Sequence, residues 1–293
     1  MRFFLSIFLC TALAALSSCN TTQNKQEQPQ VNVSLEKSSS ELMNNAKASF
    51  IAGHYESAVK SYSAVVQKQA DNYEARLGLA ESHFKLGNST QAEENFDWLL
   101  SVPEYRIEAL QGVGLSVLQQ GRMDEAQTYL SESVEDDESL WRSWNGLAQI
   151  YDSKKDWALA ANAYDMALKY TDRSEVIYNN MGVSYMTQEK FENAAEAFEN
   201  ALHYKPDLEV ANTNYRLALA MQDRYDEATL EHDIREEAKA FNNAGYAAMR
   251  RGDYAGAERM LLKAIEANPS FYKTAYNNLQ VLYYLKNKKS KQD

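Results

Sequence analysis

The chain has 293 residues, 45% of them hydrophobic, with a formal net charge of −11 and a sequence pI near 5.0. So acidic a chain lacks the clustered Lys and Arg that release phosphate counterions, which argues against a nucleic-acid partner. Its two cysteines, Cys10 and Cys19, both fall within the first twenty residues, so the rest can hold neither a disulfide framework nor a cysteine metal site.

The first segment reads as an address. Arg2 gives a positive start, and the apolar run from Phe3 to Ala15 is too short to span a bilayer as a helix. Leu16-Ser17-Ser18-Cys19 then resembles the bacterial lipobox, in which small residues fit the signal peptidase cleft and the cysteine receives a diacylglyceryl group. The resemblance implies removal of residues 1–18, lipidation at Cys19 and a mature charge of −12, since Arg2 is the one charge lost. Two or three acyl chains would then tether the protein to a membrane without crossing it. Asn20, in place of the Asp that retains enteric lipoproteins at the inner membrane, implies a cell-envelope location at the outer membrane, facing the periplasm. Residues 19–38 are polar without an apolar period, and read as the acylated cysteine with a flexible leash reaching on the order of 25 Å.

Beyond the leash a 34-residue ruler runs along the chain. Ala58, Ala92, Ala126, Ala160, Ala194 and Ala228 each lie 34 residues apart, and Ala257 follows after 29. A small residue runs in the same register at Ala46, Ala80, Gly114, Ala148, Gly182 and Gly245, and a bulky one at Tyr62, Phe96, Leu130, Tyr164, Phe198 and Leu261. Prolines mark repeat ends at Pro103, Pro206 and Pro269. Four markers in one register resemble the tetratricopeptide repeat, a hairpin of two helices whose small facing residues let the backbones approach. No hairpin buries its apolar face alone, so the hairpins must stack into one all-α solenoid. The expected repeats are 39–72, 73–106, 107–140, 141–174, 175–208, a short 209–237 and 238–271, closed by a capping helix over 272–285 and a frayed basic tail over 286–293. The sixth repeat lacks five residues, more than one helical turn, which predicts a truncated second helix and a kink near 230–238.

Nothing along the chain is organised for catalysis. His54, His83, His203 and His232 fall in separate repeats without the spacing of metal ligands, Gly112-Val113-Gly114 has no preceding strand, and no nucleophile motif occurs. The run from Glu132 to Glu138 lacks the alternation and central glycine of a calcium loop and reads as a polar inter-repeat turn. The expectation is a protein that is not an enzyme and uses no cofactor. What a solenoid offers is a groove lined by the first helix of each hairpin. Counting the second, fifth, ninth and twelfth residues of the repeats places Asn145, Gln149, Asn179, Val183, Met186, Asn242, Tyr246, Met249 and Tyr276 in it, with Asn180, Asn243 and Asn277 at its edge. Amides can bond an extended peptide backbone while Met and Tyr supply adaptable apolar contact. Asparagine is also common here for turn-level hydrogen bonds of its own, and both roles stay open.

A lipobox, a polar leash and these repeats together resemble the TadD family of tight-adherence (Flp) pilus assembly lipoproteins. The likeness is strongest in Asn214-Tyr215-Arg216-Leu217-Ala218-Leu219-Ala220, Arg224-Tyr225-Asp226-Glu227-Ala228, the shortened spacer, Asn242-Asn243-Ala244-Gly245-Tyr246 and Gly252-Asp253-Tyr254. The resemblance implies a scaffold that helps an outer-membrane secretin assemble or localise, with pilus or secretion components as partners. Two alternatives are a type IV pilotin, which also ushers a secretin on fewer repeats, and an adaptor for periplasmic cell-wall hydrolases or proteases.

Overall fold

The structure, a computed structural model, describes residues 38–229, 234–267 and 272–289. The expected signal peptide, Cys19 and nearly all of the leash, together with His232, Pro269 and residues 290–293, lie outside the described residues. Among the described residues every regular element is helical. Six hairpins follow one another: α1 (Ser39–Ile51) with α2 (Tyr55–Lys68), α3 (Tyr73–Lys85) with α4 (Ser89–Leu99), α5 (Arg106–Gln119) with α6 (Met123–Asp136), α7 (Trp141–Lys154) with α8 (Trp157–Tyr170), α9 (Ser174–Thr187) with α10 (Phe191–Tyr204), and α11 (Glu209–Ala220) with the stub α12 (Tyr225–Ala228). A seventh, α13 (Ile234–Arg251) with α14 (Tyr254–Ala267), is followed by the single helix α15 (Tyr272–Lys289).

One turn chemistry joins the two helices of every hairpin. The fifteenth residue of each repeat is left-handed: Gly53, Gly87, Gly121 and Gly252 at φ between 75° and 81°, and Lys155, Glu189 and Asp223 at 63°, 60° and 67°. The next amide reaches back five residues to close the helix, as in His54 N to Ser49 O at 2.8 Å and Lys190 N to Tyr185 O at 2.9 Å. This closure satisfies carbonyls that a helix end otherwise leaves open. Helix starts are fixed by side chains where the sequence supplies them. Ser38 Oγ accepts from Glu41 N at 3.1 Å, and Asn72 Oδ1 accepts from Ala75 N at 3.0 Å.

The repeating alanines are sealed in the interior: Ala58, Ala92, Ala126, Ala160, Ala194, Ala228 and Ala257 are all 0–2% exposed. The bulky partner fills the space beside them. A Cβ added at Gly114, Gly182 or Gly245 would fall 2.5–2.7 Å from Leu130, Phe198 or Leu261 of the same repeat. The bulky residue also packs forward onto the next repeat, with the Tyr62 ring over Gly78 and the Phe96 ring over Gly112. Each such fully buried ring stabilises the array by about 1.5–3 kcal/mol relative to exposure. The apolar interior divides near α9. One cluster runs from Ala80 to Ile177 and a second from Ala194 to Leu282, with no residue in common.

The sixth repeat departs from the pattern for a visible reason. Arg216 stands where other repeats carry Gly or Ala, so the two backbones cannot close together there. Its Nε instead donates to the Ala228 carbonyl at 2.8 Å and satisfies the end of the four-residue α12. The expected truncation is therefore present; residues 230–233, where the kink was expected to begin, lie outside the described residues. Where the second helix is cut to the four residues of α12, α13 packs more extensively against α11 than any other pair of successive first helices does. Arg251 clamps Asp223 with both guanidinium ends, and Tyr225 Oη lies 3.0 Å from Asp223 Oδ1 and 3.1 Å from Asp253 Oδ2.

Two expectations need correction. The last helix does not stop near 285 but continues to Lys289, because Lys286 Nζ pairs with Glu258 Oε2 at 2.8 Å and Tyr283 Oη donates to Glu258 Oε1 at 2.9 Å. Much of the acidic run is helical as well. Glu132 and Asp136 lie on α6 and both pair with Arg106, and only Asp137, as its C-cap, starts the turn by accepting from Ser139 N at 2.9 Å.

Candidate protein-binding groove

The 3.6-residue period of a helix puts residues three and four apart on one face. On α7 that face carries Arg142, Asn145, Gln149 and Asp152, and the equivalent faces of its neighbours line three cavities in series. The first, about 470 Å³, has an apolar floor of Phe84, Leu115, Leu118, Trp141 and Val176, with Arg142, Asn145 and Gln149 above it. The second, about 250 Å³, is lined by Gln149, Asp152, Asn180, Val183, Ser184 and Thr187. The third, about 270 Å³, is lined by Met186, Thr187, Leu217, Met221, Tyr246 and Arg250 among others. Gln149 is common to the first two and Thr187 to the last two, so the cavities form one groove from α3 to α13.

The groove brings together Asn145, Gln149, Asn180, Val183, Met186 and Tyr246 of the residues expected there. Val183 and Tyr246 are 46% and 43% exposed and offer apolar surface within the cavities. Tyr276 and Asn277 are exposed on α15, outside the three cavities. Asn243 instead borders a separate hollow of only about 20 Å³ beside Arg216 and Lys239. Asn242 and Met249 do not face the groove: they are 6% and 8% exposed. Met249 is buried as a member of the second apolar cluster, and Asn242 is bonded from α15, whose Asn278 Nδ2 donates to Asn242 Oδ1 at 2.8 Å.

That last bond belongs to a pattern which the sequence reading missed. Asn180 Nδ2 donates to Asn145 Oδ1 at 2.9 Å, and Asn214 Nδ2 donates to Asn179 Oδ1 at 3.3 Å. Amides thus join successive first helices, and in the Asn145–Asn180 pair one bond leaves three N–H groups and the Asn180 carbonyl unused by it. Asparagines 35 or 36 residues apart, read as pairs, would have signalled it.

Charge is laid out across the groove. Arg142 Nη1 pairs with Glu81 Oε1 at 3.1 Å, and its guanidinium lies 5.3 Å from the Phe84 ring centre. Nearby Lys85 is pushed below its ordinary value by burial, then by the positive charge of Arg142. At the other end of α7, Asp152 accepts from Tyr164 Oη at 2.8 Å and from Ser184 Oγ at 2.6 Å. Burial, then the Asp152 charge, raises the Tyr164 hydroxyl well above the usual tyrosine range, so it stays a donor. Arg142 and Asp152 occupy the second and twelfth places of the fourth repeat, so the counting that found Asn145 and Gln149 reaches them too. His54, His83 and His203 remain on separate repeats.

Repeat-family models described as tetratricopeptide repeat match residues 49–97, 114–174, 176–208 and 238–271, together more than half of the chain. The chain belongs to the tetratricopeptide repeat superfamily. Solved structures share the solenoid at low identity. A thermophilic tetratricopeptide repeat protein of Thermus thermophilus is similar at TM-score 0.55 and 16% identity over 62% of this chain and 99% of that one. A tetratricopeptide repeat protein from Parabacteroides merdae aligns at TM-score 0.54 and 14% identity, covering 84% of this chain and 98% of its own. The C-terminal part of a repeat-containing protein from Cytophaga hutchinsonii aligns at TM-score 0.54 and 15% identity, over 81% of this chain and 99% of that one. No curated protein matches this chain. At these identities the likeness establishes the fold, and a tetratricopeptide solenoid is a scaffold for protein–protein interaction.

Proposed function

We propose that this tetratricopeptide protein is an acylated scaffold of the bacterial cell envelope, whose groove holds a segment of a pilus or secretion component. The observation that carries the binding role is the row of three adjoining cavities along the first helices, with the exposed Val183 and Tyr246 lining two of them. The groove mixes apolar floor with unspent amide groups, which suits an extended polypeptide: backbone groups meet the amides and side chains enter the cavities. Attachment would rest on acyl chains at Cys19; among the described residues no helix is long and apolar enough to cross a membrane. The lipobox and the closing repeats from Asn214 to Tyr254 support a role like that of the tight-adherence pilus lipoproteins, acting on an outer-membrane secretin.

Crosslinked co-purification of the tagged full-length protein from membranes, with partners identified by mass spectrometry, tests this. A secretin or pilus-export component that disappears with Cys19→Ala is the expected result. Cell-wall hydrolases or proteases recovered without any secretin would replace the pilus role with that of an adaptor.

A further inference from the structure

We infer that the cavity around Asp152 is a subsite for a cationic side chain, lysine or arginine, of the polypeptide in the groove. The inference rests on the peptide-binding reading of the groove and adds to it a required chemistry at one position. Asp152 lies on the groove face of α7, one turn beyond Gln149, and lines the middle cavity. Its two oxygens are held from the two flanking helices: Tyr164 Oη of α8 donates to Oδ2 and Ser184 Oγ of α9 donates to Oδ1. Tyr164 and Ser184 are themselves buried, at 2% and 6% exposure, and Gln188 Nε2 donates to Ser184 Oγ at 3.1 Å, so the grip is rigid. A carboxylate offers about four acceptor sites, and two hydroxyls use only half of them.

What this carboxylate lacks is a cation. Several other partly buried carboxylates have an internal cation, Glu81 with Arg142, Glu93 with Arg122 and Glu258 with Lys286, while Asp253, which lines none of the three cavities, is met by the Tyr225 hydroxyl and the Gly256 amide. Asp152 is partly buried too, yet no Lys or Arg lies within ion-pair distance of it among the described residues. The wall of the cavity supplies what a lysine or arginine needs besides the charge. Amide and hydroxyl oxygens of Gln149, Asn180 and Thr187 can take the remaining N–H groups, and the exposed Val183 can cover the aliphatic stem. An acidic side chain would be repelled, and an apolar one would desolvate Asp152 with nothing in return. The cavity between α7, α8 and α9 is thus a polar socket opening on the groove.

A phage-displayed library of random decapeptides, selected in parallel on the full-length protein and on Asp152→Asn, tests the socket. The expected result is that the parent protein enriches peptides with Lys or Arg at one fixed position. A synthetic peptide of the leading sequence should then bind Asp152→Asn about tenfold more weakly. Replacing its cation by norleucine, which keeps most of the stem, should cost the parent protein the same factor and the variant nothing more. Val183→Lys, an exposed change that supplies the cation from the protein itself, should abolish the preference while Asp152 stays in place, so the test does not depend on how Asp152→Asn folds. Peptides enriched without a fixed cation, or with the same cation preference on both variants, would overturn the socket and leave the groove standing. Failure of every version to enrich any peptide would overturn the groove as a peptide site and the socket with it.

Discussion

Replacing Gly112 by alanine isolates the contact on which the stacking depends. Alanine is the better helix former, and in the middle of α5 the change alone would stabilise by about 0.5–1 kcal/mol. The added Cβ, however, would lie 2.3 Å from Phe96 Cδ1 and 2.5 Å from Cγ. An ordinary contact would require the ring to retreat by roughly 1 Å, in an interior packed like an organic crystal. Phe96 is 0% exposed and belongs to the same cluster as Ala92, Val113 and Leu130, so it has nowhere to go. Overpacking of this kind costs about 1–3 kcal/mol, which against the helical gain leaves a net loss of up to about 2.5 kcal/mol, centred near 1 kcal/mol. Repeat arrays unfold by parts, so the readout is amide hydrogen exchange across α4 and α5 rather than a single melting curve. Protection should fall there first, and Gly112→Ala combined with Phe96→Leu should lose less than the two single losses added together. Protection unchanged or increased in Gly112→Ala, or strict additivity of the pair, would refute the packing argument.

Three other outcomes follow from the same structure. Lys155→Gly removes the cost of a left-handed side-chain-bearing residue at φ 63° and should stabilise α7–α8 by about 0.5–1 kcal/mol in denaturant titration; destabilisation would mean that the lysine side chain matters more than its backbone. Arg216→Ala leaves the Ala228 carbonyl without its donor and should lower exchange protection over 225–229 by about 1–2 kcal/mol, whereas unchanged protection would show that α12 ends for another reason. Glu258 is held below the ordinary glutamate value of 4.5 by its bonds to Lys286 and Tyr283. A depressed carboxylate contributes stability that is complete above its unfolded value and lost as pH falls through the folded one. Protection of α15 should therefore decline on acidification below about pH 4.5, and the decline should be absent in Glu258→Gln.

Most of the fold could be read along the chain because a solenoid is nearly one-dimensional. The helices of each repeat pack chiefly on those of its neighbours, so a period of 34 residues fixes which alanine faces which bulky side chain, and Ala126 with Leu130 needed no knowledge of the rest. The short sixth repeat was equally plain, as a missing turn is a matter of counting. The groove was legible only where every repeat obeys that count. Asn145, Gln149 and Val183 fall where the period puts them, but Met249 does not: it is buried in the second apolar cluster although the period leaves its place open. Register says which way a residue points; neighbours decide whether anything covers it. The same holds for charge. No periodicity distinguishes Glu81, whose partner Arg142 lies two repeats away, from Asp152, which α8 and α9 grip with hydroxyls and leave without a cation. The sequence by itself determined the helices, their turns and their stacking, because those rest on local geometry repeated. Which polar groups are satisfied and which face an empty cavity was decided by tertiary structure alone, because hydrogen bonds between helices depend on contacts across more than thirty residues.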